Sequence, residues 1–113
     1  LMLPHRPYYF DEEGTFQQDI SPHSTDPAAY LGQLRYTDRR ISQWVTNILE
    51  AYQGQVIIWI HGDHGFRYLP KESDRIAEKQ RTFFAIYTPQ KTYDELSDTL
   101  HIVSGFPYIM GEL

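Results

Sequence analysis

Apolar positions along this chain repeat in two different ways. Between residues 26 and 54, Tyr30, Leu31, Leu34, Ile41, Trp44, Val45, Ile48, Leu49 and Tyr52 recur at helical spacing and form one stripe. Arg35, Arg39, Arg40, Gln43 and Asn47 fall on the other faces. Asp26 is a good N-cap, and Pro27 follows at the first helical position, where its missing N–H costs nothing. Gly54 supplies a stop. The pattern predicts a helix of about 27 residues, ~40 Å long at 1.5 Å per residue. Such a helix suits a larger sheet better than a small remnant of one.

The second kind of pattern is a short apolar run without alternation. "VIIWI" (residues 56–60) and "TFFAIY" (residues 82–87) read as strands covered on both faces. "LML" at the start reads as a strand already under way, ending at Pro4. Residues 5–26 form a long loop broken by Pro7, Pro22 and Asp11-Glu12-Glu13-Gly14, and its aromatics Tyr8, Tyr9, Phe10 and Phe16 imply that it packs onto something. Residues 71–81 are polar and predict a short helix or a surface loop. Thr92 can cap a helical turn, and Val103, Phe106, Ile109, Met110 and Leu113 stand at helical spacing.

This order predicts an α/β fold: a mostly parallel sheet with covering helices and right-handed crossovers. Ligands in such sheets sit beyond the carboxyl ends of the strands. His5 follows the first strand and Asp63-His64 follow the second, so both are expected at one edge.

Composition narrows the possibilities. At 113 residues the chain is at most one domain. Ten Lys+Arg against fifteen Asp+Glu give a net charge of −5 without a basic cluster, which argues against a nucleic-acid or anionic-membrane partner. The lack of cysteine excludes a disulfide framework and a Cys-ligated zinc site. No apolar run approaches the ~20 residues of a membrane span, and no signal peptide is visible.

The chemistry concentrates in Gly62-Asp63-His64-Gly65, at the end of an apolar run. Carboxylate and neutral imidazole are the usual oxygen and nitrogen ligands of zinc, and of manganese in more oxygen-rich sites. Adjacent side chains on a strand point to opposite sides, but a turn flanked by glycines can bring both toward one metal, or toward two metals a few ångströms apart. A hydrogen-bonded turn without metal is the other reading. His5, between Pro4 and Pro7 on stiff backbone, is a residue of a site at the sheet edge or an exposed loop histidine. His23 reads as a surface residue, His61 as a core histidine and His101 as structural, while Arg67, Arg81 and Asp38 read as solvated charges.

Taken together these segments resemble the alkaline phosphatase/sulfatase superfamily. They are most similar to its membrane-anchored sulfatase-like hydrolases, which include lipoteichoic acid synthases and phosphoethanolamine transferases. "GDHG" after an apolar strand resembles the metal motif, and "LPHRPYYFDEEG" resembles a histidine-proline-aromatic loop. "YLGQLRYTDRRISQWVTNIL" resembles the long helix with its Tyr, Gln, Tyr and Asp pattern. "QRTFFAIYTP" resembles the strand after the metal loop, and "LHIVSGFPYIMGEL" the closing segment. The likeness skips residues 15–26 and 66–80. Ser104-Gly105 and Tyr108 depart from the usual closing Asp and Thr, and the histidine-glycine and lysine signature of many sulfatases is missing after GDHG.

The resemblance implies that Asp63 and His64 bind a divalent metal, zinc or manganese, and that His5 contacts the phosphate or sulfate group or its leaving oxygen. It implies a hydrolase or transferase of phosphate or sulfate esters, working by in-line displacement with a metal-activated hydroxyl nucleophile. It also implies an extracytoplasmic setting, tethered to the membrane in the intact protein. Residues 1–113 are then expected to be the C-terminal portion of one domain. The N-terminal half would supply the nucleophile and first metal carboxylate, so the fragment by itself is expected to be inactive and to self-associate through bare strand edges. Two other readings stay open: a catalytically inactive sulfatase-like binding or structural domain, and a plain GDHG turn in an unrelated α/β fold.

Overall fold

Helix α1 (Pro27–Ala51) starts where its capping residues dictate. The Asp26 carboxylate accepts from the Ala28 N–H at 3.0 Å, satisfying one of the donors that a helix start leaves without a partner. At the other end Gln53 and Gly54 both turn left-handed, with φ of +52° and +73°, and Gly54 donates its N–H to the Leu49 carbonyl at 2.8 Å. That left-handed turn ends the helix. The structure, a computed structural model, describes residues 3–89. Beyond α1 it contains strand β1 (Ile58–His61), helix α2 (Glu72–Gln80) and strand β2 (Phe84–Tyr87). The segments expected around Thr92 and over residues 103–113 lie outside the described residues, as does most of the expected first strand; Leu3 and Pro4 form a turn.

β1 and β2 pair antiparallel, with Ile58 opposite Tyr87 and His61 opposite Phe84. A mostly parallel sheet is the expectation; this pair is antiparallel, and the cause of its direction lies in α2. A parallel partner needs a crossover that carries the chain back along the strand. Here the last turn of α2 sits beside Gly65, just past the carboxyl end of β1: Gly65 N–H donates to the Lys79 carbonyl at 3.0 Å. The chain therefore enters β2 at the edge where it left β1, and Gly62 N–H donates to the Phe83 carbonyl at 2.9 Å to extend the pairing. Among the described residues the sheet has these two strands.

Gly65 is required by this close approach. A Cβ at that position would collide with the carbonyl oxygens of Glu78 and Arg81. α2 itself buries no residue, and its charges follow the helix dipole, with Glu72 and Asp74 in the first turn and Lys79 in the last.

The long loop packs onto α1, as its aromatics imply. Phe10 and Phe16 face each other in an isolated bridge. The Asp11 carboxylate closes the turn between them, accepting from Glu13 N–H, Thr15 N–H and the Gln17 side chain. Phe10 lies 5.4 Å from the Tyr36 ring of α1, and Glu12 pairs with Arg35 at 2.7 Å. That ion pair is exposed and contributes about 0.2–1 kcal/mol.

Burial follows the apolar stripe of α1 only in part. On α1 the enclosed side chains are polar, Gln33 and Thr37; Tyr30, Leu34, Ile41, Val45 and Leu49 are half-buried, and Leu31, Trp44 and Ile48 are exposed, as is Tyr52 just past the helix. Buried apolar residues come from the two loops instead, Tyr8 and Phe66. The strands are half-buried, not covered on both faces as their composition predicts, and His61 is exposed at the end of β1.

The cap gives a direct check on α1. Asp26→Ala should lower stability by about 1 kcal/mol, and Asp26→Ser should restore most of it. Thermal unfolding followed by circular dichroism at 222 nm measures both.

Candidate functional site

One turn of α1 organises two loops. The Gln33 side chain is fully buried and spends its amide on the histidine loop. Its Nε2 donates to the carbonyls of Pro4 at 3.2 Å and His5 at 3.0 Å, while its Oε1 accepts from Phe10 N–H at 3.2 Å. Thr37, one turn on, donates its hydroxyl to the Gln33 carbonyl at 2.7 Å, so this buried hydroxyl is also satisfied. Three residues before Gln33, Tyr30 meets both loops at once. Its ring stacks on Phe66 at 4.6 Å and takes Tyr8 edge-on at 5.7 Å.

These contacts bring His5, Asp63 and His64 to one cleft of about 140 Å³, which Arg6, Arg67 and Tyr68 also line. His23 is exposed and lies away from it. Asp38 is exposed on α1, and Arg81 pairs loosely with Glu78 at 3.6 Å. His101 lies outside the described residues. Among the described residues no cluster of three or more His, Asp or Glu side chains is arranged to hold a metal.

The histidines share a tautomer. His5 Nδ1 lies 2.6 Å from the Arg6 carbonyl, and His64 Nδ1 lies 2.8 Å from the Gly65 carbonyl. A carbonyl only accepts, so each Nδ1 carries the proton and each neutral ring offers its lone pair at Nε2. This is the arrangement of a metal-ligating histidine whose second nitrogen is held by backbone.

His64 Nε2 stands 3.6 Å from Asp63 Oδ2, too far for a good hydrogen bond. Two lone-pair bearers face each other there, and a cation between them removes the repulsion. Two ligands each about 2.0–2.2 Å from a tetrahedral ion stand roughly 3.4 Å apart. The observed 3.6 Å is close to that spacing. Asp63 is mostly exposed and His64 mostly buried, with side-chain accessibilities of 85% and 20%. The histidine is thus fixed by packing and the carboxylate is free to adjust.

The residues that hold the site are less visible in sequence than those that line it. Gln33 carries one signal, a polar side chain on the inward stripe of a helix beside Tyr30 and Thr37. Buried polar side chains are hydrogen-bonded, so that position asks for a partner. Arg6 and Tyr68 carry no such signal.

Burial raises the pKa of the Tyr30 phenol, with Glu78 and then Asp38 adding to the effect. Burial likewise raises that of Tyr8, and Arg6 partly opposes it.

Gln33→Leu should be strongly destabilising. It strands two carbonyls and one N–H, each at about 1–3 kcal/mol where water cannot replace the partner. Gln33→Glu should also destabilise, because it turns an oxygen toward the carbonyls of Pro4 and His5. Urea unfolding of both variants tests this. A loss below about 1 kcal/mol for Gln33→Leu would refute the clamp.

The tyrosines predict alkaline lability. Above pH 10.0, where a free phenol ionises, the unfolded chain loses protons that Tyr8 and Tyr30 retain when folded. The folded state then binds more protons, and stability falls as pH rises. Unfolding free energies between pH 9 and 11 should drop less steeply in Tyr30→Phe, which has no proton to lose.

Comparison with protein-family models, with curated proteins and with solved structures found no match to this chain.

Proposed function

We propose that this chain supplies part of the active site of a metal-dependent hydrolase or transferase of phosphate or sulfate esters. The observation that carries the reading is the meeting of His5, Asp63 and His64 at one cleft, with both imidazoles turned so that Nε2 is available. The likeness of GDHG and the His5 loop to the sulfatase-like hydrolases supports the same chemistry.

Asp63 and His64 hold a zinc or manganese ion in this reading. When bound, the ion supplies Lewis-acid charge that offsets the negative charge of the transferring group. The Gly65 carbonyl orients His64 through Nδ1, which keeps Nε2 turned toward Asp63. His5 works differently. Its Nδ1 proton is committed to the Arg6 carbonyl, so only the imidazolium form has an N–H at Nε2 to donate to a non-bridging or leaving oxygen. The nucleophile belongs to the part of the domain that the resemblance assigns upstream of these residues.

The same resemblance carries an extracytoplasmic, membrane-tethered setting into the proposal. Among the described residues no helix is long and apolar enough to cross a membrane.

The test is a zinc titration by calorimetry, with nitrogen-15 NMR of the histidine rings. Two protein ligands leave most positions on the ion to water, so binding should be weak and reversible. It should vanish in His64→Ala and weaken in Asp63→Asn. The Nε2 signal of His64 should move on binding while that of His23 stays fixed. Zinc affinity unchanged in both variants would sink the reading.

A further inference from the structure

The cleft also holds a cation that the metal reading leaves unused. Among the described residues the ion pairs join Arg35 to Glu12, Arg81 to Glu78 and His64 to Asp63. None of them offsets Arg6. Its guanidinium instead lies over the Tyr68 ring, 4.6 Å from the centroid.

That stacking fixes the group without consuming its donors. A guanidinium stacked on a ring uses its face, and the N–H groups around its edge stay available. Tyr68 is itself held, edge-on to Phe66 at 5.6 Å, and Phe66 stacks on Tyr30 of α1. On the backbone side Gln33 grips the Pro4 and His5 carbonyls just before Arg6, and the Arg6 carbonyl accepts from His5. The side chain is therefore held through both its root and its tip. A planar fork held in advance loses less entropy for each hydrogen bond it makes. The ligand chemistry that matches it is a pair of oxygens on a tetrahedral anion.

We propose that Arg6, stacked on Tyr68, is an oxoanion-binding residue that takes two oxygens of a phosphate or sulfate group in the cleft shared with His5, Asp63 and His64. This deepens the preceding reading and rests on it only in making the bound anion the reacting group. The binding itself needs no metal. Arg6 and His5 then approach the anion from neighbouring positions of one clamped loop, so Gln33 sets the spacing of both donors. The exposed Asp63 carboxylate opposes an anion when no metal is present, which makes metal-free binding weak.

The experiment is an NMR titration of the full chain with inorganic phosphate, and separately with inorganic sulfate. Both are run in EDTA, against sodium chloride at matched ionic strength. Saturable shifts of the Arg6 Nε–H and the Tyr68 ring are expected with phosphate or sulfate and not with chloride. Affinity should fall at least about tenfold in Arg6→Gln, the loss of one charged hydrogen-bonding group. Arg6→Lys keeps the charge but not the fork and should recover only part of it. Tyr68→Leu should weaken binding with Arg6 intact. Equal shifts with chloride, no saturable shift at Arg6, or full affinity in Arg6→Lys would each overturn the proposal. Arg6→Lys keeps the test decisive if Arg6→Gln does not fold. The two readings fail separately. If zinc does not bind but phosphate does so through Arg6, the oxoanion site stands and the hydrolase reading falls. If zinc binds through Asp63 and His64 while Arg6 does not respond to phosphate or sulfate, the oxoanion site alone falls.

Discussion

The buried amide of Gln33 is the constraint on which the arrangement depends. An unpaired amide in that position would cost several kcal/mol, so the helix tolerates it only with its partners in place. Those partners are backbone groups of a loop that forms no regular structure around His5: two carbonyls and one N–H, from Pro4, His5 and Phe10. A loop without its own ladder must satisfy its polar groups somewhere, and here one side chain from α1 does so. The penalty for leaving either side unpaired locks the two together. Hydrophobic burial alone would not specify which loop atoms meet the helix.

Tyr30 extends the same logic to the second loop. From one turn of helix, Gln33 reaches the His5 segment by hydrogen bonds, and Tyr30 reaches the Asp63-His64 segment through Phe66 by stacking. Residues distant in sequence therefore meet because both loops are referred to one rigid element. The site sits on loops, but its geometry is set by a helix, which suits chemistry that needs fixed distances. Gly65 contributes a different constraint. It lets α2 close against the GDHG turn, and that closure sends β2 back beside β1 in the antiparallel sense.

The sequence by itself determined the local elements. α1 runs between Asp26 and Gly54 because capping and stop chemistry are local, and apolar periodicity over so many turns leaves no competing pattern. β2 falls within its β-branched and aromatic run, and β1 starts two residues into its run and takes in His61 beyond it. Asp63 and His64 were legible as a candidate pair from their glycine flanks, and His5 from its prolines. Strand direction was not legible, because it depends on where the last turn of α2 comes to rest, and that is a contact between residues 65 and 79. Nor could the sequence say how far along α1 burial extends. Gln33 and Thr37 on the apolar stripe are enclosed, yet Trp44 and Ile48 farther along it are exposed. The tautomers of His5 and His64, and the seat of Arg6 on Tyr68, belong to tertiary structure for the same reason. Each is decided by which atom stands within about 3 Å of a nitrogen or a few ångströms from a ring, and no spacing along a chain records that.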